Sequence, residues 1–193
     1  MEKVELRREL RKRLTALSPE QRKDKSRRAC RNLVGTEQFQ DASVIMMFLS
    51  LPHEVDTSDA ILHAWQSGKT VAVPKISWQQ RHMIPVRINS LETGFSTSAG
   101  GLRNPLSGVP IPFEQLDLVV APALGFDRKG NRLGRGGSFY DRFFANPSVG
   151  ASRCGLAFTE QIVDAIPITK SDEPVHFLVT EEEVVQCNGQ KGA

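Results

Sequence analysis

A chain of 193 residues with 39% hydrophobic and 24% charged residues has the length and composition of one globular domain with a full core. No apolar run approaches the roughly 20 residues of a membrane span, and the opening Met1-Glu2-Lys3-Val4-Glu5 is too polar for a secretory signal. The net charge of +3 conceals an asymmetry, because residues 2–31 carry twelve Lys/Arg against five Asp/Glu, a surplus of seven, which leaves the remainder at −4. A solvated helix face is the ordinary source of such a run and a polyanionic partner the other; no aromatics are interleaved to stack bases, which argues against nucleic acid. Three widely spaced cysteines, Cys30, Cys154 and Cys187, make neither a disulfide framework nor a metal cluster, and they predict structural thiols in a reducing cytoplasm.

Leu6, Leu10, Leu14 and Leu17 recur at helical spacing and predict a basic amphipathic helix over 3–17. Ser18-Pro19-Glu20-Gln21 reads as a capping box with proline at the first helical position, so a second helix runs to about Val34 and stops at Gly35. The continuous apolar run from Val44 to Leu49 fits a strand buried on both faces. Thr57 or Ser58 then caps a helix through Ala60, Ile61, Ala64 and Trp65, closed by Gly68. Strands follow at 70–73 and 83–88, then a Gly/Ser/Pro-rich connection from Gly94 to Pro112 and a strand at 116–121. A glycine-rich loop, a short helix at about 138–145, a strand at 154–158, a helical turn after Thr159 and a strand at 175–179 complete the order. The tail 187–193 is expected to fray. Strands alternating with helices predict a single α/β domain: an open, mostly parallel, Rossmann-like three-layer sheet with helices on both faces and basic N-terminal helices. In such sheets ligands bind beyond the carboxyl ends of the strands, so the segments after Leu49, Val73 and Ala121 should converge on one cleft.

The segment Arg132-Leu133-Gly134-Arg135-Gly136-Gly137-Ser138-Phe139-Tyr140-Asp141 carries the strongest chemical signal. Glycines let backbone N–H groups approach an anion, a following helix offers its positive end, and arginine supplies a planar charged fork for phosphate oxygens. Asp141 is a hard oxygen donor of the kind Mg²⁺ takes beside phosphates. The spacing matches neither a Walker A loop nor the dinucleotide fingerprint. On spacing alone, a glycine-rich turn before a short amphipathic helix stands level with a nucleotide loop.

The longer stretch from Gly125-Phe126-Asp127 through Tyr140-Asp141-Arg142 closely resembles the signature of the 5-formyltetrahydrofolate cyclo-ligases, roughly G-F-D-x-x-G-x-R-L-G-x-G-x-G-[YF]-Y-D. That resemblance implies ATP contacts from Arg132, Leu133, Gly134, Arg135, Gly136, Gly137, Ser138, Phe139 and Tyr140. Lys3 and Arg7 in Lys3-Val4-Glu5-Leu6-Arg7 resemble the family's phosphate-reaching Lys-x-x-Leu-Arg; read as structure alone they are solvated cations on a first helical turn. With Arg135 they are the expected catalytic cations. Glu54 in Leu51-Pro52-His53-Glu54-Val55-Asp56-Thr57 is similar to the family's folate-contacting glutamate, with Leu49, Arg135 and Phe139 in the same pocket; Asp56 and Thr57 read as ordinary capping residues. A carboxylate there can accept both N–H donors of a pterin edge. Gln161 to Pro167 followed by Asp172 is similar to a family stretch whose aspartate helps hold magnesium, so Asp141 and Asp172 are expected to hold Mg²⁺. His176, where relatives often have an acid, is expected at the surface without a catalytic role.

The resemblance implies an ATP- and Mg²⁺-dependent cyclisation of 5-formyltetrahydrofolate, with polyglutamylated folates as a further substrate form. A cytoplasmic monomer with no nucleic-acid or membrane partner is expected. A non-catalytic folate- or nucleotide-binding regulator on the same fold is the alternative, kept open by Ser138, which stands where the signature has its last loop glycine. An RNA-binding protein using the basic helices is a more distant one. For Ser138 the expectation is an ordinary negative φ and an N-cap to the helix through Phe139, Tyr140 and Asp141.

Overall fold

The computed structural model describes residues 2–187, so positions 188–193 of the predicted tail lie outside the described residues. The chain opens with α1 (Lys3–Ala16), whose Leu6, Leu10 and Leu14 form the buried stripe that the spacing predicts. The capping box at α2 (Pro19–Val34) is present in both halves: Gln21 N–H donates to the Ser18 hydroxyl at 3.2 Å, and Ser18 N–H donates to Gln21 Oε1 at 2.8 Å. A short α3 (Glu37–Asp41) buries Phe39 and leads into β1 (Val44–Met47). Then come α4 (Ser58–Gln66), β2 (Thr70–Ser77), β3 (His82–Arg87), β4 (Phe95–Thr97), β5 (Arg103–Pro105) and β6 (Leu118–Ala121). The last third holds β7 (Gly125–Asp127), β8 (Arg132–Leu133), α5 (Phe139–Phe144), β9 (Ser152–Leu156), β10 (Ile162–Val163), β11 (Phe177–Val179) and β12 (Val184–Gln186).

Seven strands form the main sheet in the order β12-β11-β9-β6-β1-β2-β3. The five inner strands pair in parallel, while β3 and β12 close the edges antiparallel. Side chains alternate across it as a pleat requires. On β6, Leu118 and Val120 join the cluster holding Leu10, Leu33 and Ile61 of α1, α2 and α4, and Val119 and Ala121 join Phe143 and Phe144 of α5. The three-layer expectation is borne out, and each Leu or Phe so buried stabilises the fold by about 1.5–3 kcal/mol. Among the described residues no helix is long and apolar enough to cross a membrane.

A second sheet, β10-β7-β8, is what places the glycine loop. The turn between β7 and β8 is tied by Asp127, whose Oδ1 accepts from Lys129 and Asn131 N–H at 3.0 Å and whose Oδ2 accepts from Ile166 N–H at 3.0 Å. A Cβ on Gly125 would lie 2.5 Å from Leu10 Cδ1 and 3.1 Å from Gln161 O, so glycine lets Leu10 of α1 pack directly on β7 without a shift. That contact carries the first turn of α1 to the loop that follows β8.

Several boundaries differ from the sequence expectation. The strand predicted over 44–49 ends at Met47, and Phe48 and Leu49 continue buried but unpaired. The strand predicted over 70–73 runs on to Ser77 because β3 pairs with its second half. The connection from Gly94 to Pro112 contains the β4–β5 hairpin rather than loop alone. Just past β12, at the start of the predicted tail, Cys187 N–H donates to His176 O at 2.8 Å.

Candidate functional site

Every candidate residue from the sequence lines one cavity of about 540 Å³. Lys3 and Arg7 come from α1, Leu49 and Glu54 from the segment after β1, and the run 132–141 from β8, the glycine loop and α5. Asp172 comes from the connection between β10 and β11. The cavity thus sits beyond the carboxyl ends of β1, β2 and β6, where an open α/β sheet places its ligands.

Three ion pairs of opposite charge face this space. Lys3 Nζ meets Asp172 Oδ2 at 2.5 Å, Arg132 Nη2 meets Asp141 Oδ1 at 2.6 Å, and Arg135 Nη2 meets Glu54 Oε1 at 3.0 Å. Burial alone would raise the pKa of Asp172, but the Lys3 ammonium and the Thr169 N–H hold it below the ordinary carboxylate range. Glu54 is buried, and its second oxygen accepts from Leu51 N–H at 2.9 Å. Its partner Arg135 keeps a side chain 41% exposed, so the pair closes from the solvent side of the cavity. Arg7 Nε donates to Gly134 O at 2.9 Å, fixing α1 to the loop.

The glycine loop is braced from behind. Arg142 donates from Nη2 to Gly137 O and from Nε to Arg81 O, both at 2.6 Å, and its guanidinium lies over the Phe139 ring. Gly136 has φ +107, a backbone that L side chains rarely adopt. Ser138 overturns the sequence expectation. It has φ 49 and ψ 28, in the left-handed region, and its side chain makes no capping hydrogen bond. An N-cap reaches the first-turn amides from extended backbone. The loop enters α5 left-handed instead, and so the serine carries the strain that the signature's glycine avoids.

Arg132 is held in a wall of the cavity, its side chain 4% exposed and its guanidinium over the Tyr140 ring at 5.4 Å. Among the described residues, Arg132 Nε and the Tyr140 hydroxyl are buried without a hydrogen-bond partner, and burial pushes the phenol well up. Asp56 caps as the sequence suggests, its Oδ1 accepting from Ser58 N–H at 3.0 Å, whereas Thr57 makes no side-chain cap and its hydroxyl donates to Phe48 O at 2.7 Å instead. His176 lies exposed just ahead of β11, its Nδ1 accepting from Arg153 N–H.

The donor set suits Mg²⁺. Asp141 and Asp172 line the cavity with carboxylates, Glu54 being taken up by Arg135, and among the described residues no group of three or more His, Cys, Asp or Glu could form a full cage. Magnesium takes one or two carboxylates and completes its shell with water and phosphate oxygens. Asp141 and Asp172 could hold it.

Sequence reasoning missed the apolar side of the cavity. Pro74, Ile76 and Trp78 from the end of β2, Met83, and Leu102 and Arg103 from the β4–β5 hairpin all line it. Trp78 is 62% exposed and packs edge-on against Phe139, with ring centroids 5.1 Å apart. A tryptophan in the polar run Ser77-Trp78-Gln79-Gln80 was the available signal, since nothing local could bury it.

A profile of the 5-formyltetrahydrofolate cyclo-ligase family matches residues 1–181. The 5-formyltetrahydrofolate cyclo-ligase of Mus musculus is 34% identical over 187 residues, covering 92% of each chain. That of Escherichia coli K12 is 28% identical, covering 91% of this chain and 98% of its own. The solved structure of Aquifex aeolicus 5,10-methenyltetrahydrofolate synthetase superposes with a TM-score of 0.82 at 28% identity, over 100% of this chain and 96% of the other.

Proposed function

The chain belongs to the 5-formyltetrahydrofolate cyclo-ligase family and carries out the ATP-dependent cyclisation of 5-formyltetrahydrofolate to 5,10-methenyltetrahydrofolate, and we propose that the cavity lined by α1, the glycine loop and Asp172 is where it does so. The observation that carries this placement is the convergence of Lys3–Asp172, Arg132–Asp141 and Arg135–Glu54 on one space beside a glycine loop.

The chemistry accounts for the residues. A formamide carbonyl is a poor electrophile, because the nitrogen lone pair is delocalised into it. Transfer of the ATP γ-phosphoryl to the formyl oxygen makes that oxygen a leaving group. N10 then attacks the formyl carbon and loses its proton, and the C–O bond breaks to release phosphate, with ADP as the other product. Phosphoryl transfer asks the protein for in-line positioning and charge neutralisation. In this reading Lys3, Arg7, Arg132 and the loop amides, which line the same cavity, hold the phosphates, and Arg135 serves between them and the folate. Glu54 takes the donor edge of the pterin once Arg135 turns to phosphate, and Leu49, Phe139, Trp78 and Ile76 supply apolar walls for the rings. Asp141 and Asp172 would hold magnesium, which when bound would supply charge neutralisation at the phosphates. The polyglutamate tail of a folate, and a cytoplasmic setting, complete the reading.

The test is absorbance of methenyltetrahydrofolate after mixing purified protein with 5-formyltetrahydrofolate and MgATP. Product is expected only with nucleotide and a divalent ion together. Turnover that persists in excess EDTA would remove Asp141 and Asp172 from the reaction.

A further inference from the structure

Asp141 and Asp172 arrive by different routes. Asp141 is fixed in the first turn of α5, whereas Asp172 lies in residues 164–176, a connection without regular structure between β10 and β11. Local bonds shape the turn around it, with Thr169 N–H on Asp172 Oδ2 at 2.7 Å and Asp172 N–H on Thr169 O at 3.0 Å. Those bonds do not tie the turn to α5. The tie is made one residue later. Glu173 N–H donates to Asp141 Oδ1 at 3.3 Å, and the Glu173 carboxylate turns away from the cavity to meet Arg153 Nη1 at 2.9 Å.

Arg153, on β9, spans both partners. Its Nη2 donates to Phe144 O at 2.9 Å at the carboxyl end of α5, and its guanidinium lies over the Phe144 ring at 4.7 Å. Both side chains of the ion pair are nearly buried, 12% and 10% exposed. One planar fork therefore grips the end of the helix that carries Asp141 and the residue next to Asp172. Lysine, with a single ammonium on a flexible stem, cannot reproduce that span.

We propose that Arg153 and Glu173 are positioning residues that set the separation of Asp141 and Asp172, and so the affinity of the cavity for a divalent ion in the presence of nucleotide. The proposal rests on the magnesium reading given under the proposed function. Groups that orient metal ligands from outside typically change metal affinity by about 10–100-fold, and the link here runs through one backbone N–H, so a loss on the order of tenfold is expected.

The experiment is Mn²⁺ titration followed by electron paramagnetic resonance, with a non-hydrolysable ATP analogue present and no turnover required. Glu173→Gln and Arg153→Lys should each weaken Mn²⁺ binding by about tenfold, while the KM for 5-formyltetrahydrofolate moves less than twofold. Glu173→Gln leaves the Arg153 charge without its carboxylate, so the double variant Arg153→Met/Glu173→Met, which removes both charges, guards against loss of the fold. It should fold and show the same weakening. Native protein that binds no Mn²⁺ with the analogue overturns the magnesium reading and this proposal with it. Native binding that Glu173→Gln and the double variant match overturns this proposal alone.

Discussion

Ser138 offers the sharpest single perturbation. Its left-handed backbone at φ 49 costs an L residue about 1–2 kcal/mol relative to glycine, and no side-chain capping bond offsets that strain. Replacing it with glycine removes the strain but restores backbone freedom to the unfolded chain, which costs about 0.5–1 kcal/mol. The balance for Ser138→Gly is a gain between zero and about 1.5 kcal/mol, with its midpoint at about 0.75 kcal/mol. In a chain of this length a gain of that size raises Tm by about 1–4 °C. Differential scanning calorimetry of the two proteins at one pH measures it, with methenyltetrahydrofolate formation assayed beside it. Turnover should stay within about threefold, since the loop keeps its path. Ser138→Val should move Tm the other way, because a β-branched residue tolerates this region worst. A Ser138→Gly protein that melts below the native one would refute the argument, and would mean that the serine holds a bond worth more than its strain.

Glu54→Gln replaces an acceptor facing donors with a mixed amide, at a cost of about 1–3 kcal/mol; the KM for 5-formyltetrahydrofolate should rise about tenfold or more while that for ATP moves little, and equal damage to both would count against Glu54 as the pterin contact. Glu181 is buried and accepts from Lys25 Nζ and the Thr159 hydroxyl, each at 2.6 Å. Burial alone would raise its pKa, but these partners hold it below the ordinary value. A carboxylate depressed in the folded state stabilises above its unfolded pKa and loses that contribution as pH falls through the folded value. Urea titrations should therefore show native protein ahead of Glu181→Gln by on the order of 2 kcal/mol at pH 7, with the gap closing below about pH 4; a gap that stays constant with pH would rule out the ionised pair as its source.

What the sequence disclosed follows from how local each signal is. The leucine stripe of α1 and the reciprocal cap at Ser18 need only a few neighbouring residues, and both stand as read. The strand Leu118–Ala121 and the run after Val44 are apolar on both faces, which speaks directly of a covered parallel sheet. The β4–β5 hairpin and β12 were hidden because three-residue strands exist only through their partners. Ser138 was misread for a related reason. Serine's capping preference is local, whereas its backbone angle is set by a loop that Arg142 pins from Gly137 to Arg81. The polar half of the cavity announced itself through charge and glycine spacing. Apart from Trp78, which stands out in its polar run, the apolar half consists of residues such as Pro74, Ile76 and Met83 whose assembly depends on tertiary packing.

The three ion pairs across the cavity bear on the order in which ligands can enter. A nucleotide alone would draw Lys3 and Arg132 away and leave Asp172 and Asp141 without counter-charge. A divalent ion alone would claim the two aspartates and strand the two cations. Each solitary arrival breaks pairs without replacing them, whereas joint arrival lets every charge change partners in one exchange. On the function proposed above, the cavity would thereby work as a coincidence detector, in which each ligand would raise the other's affinity by the same factor.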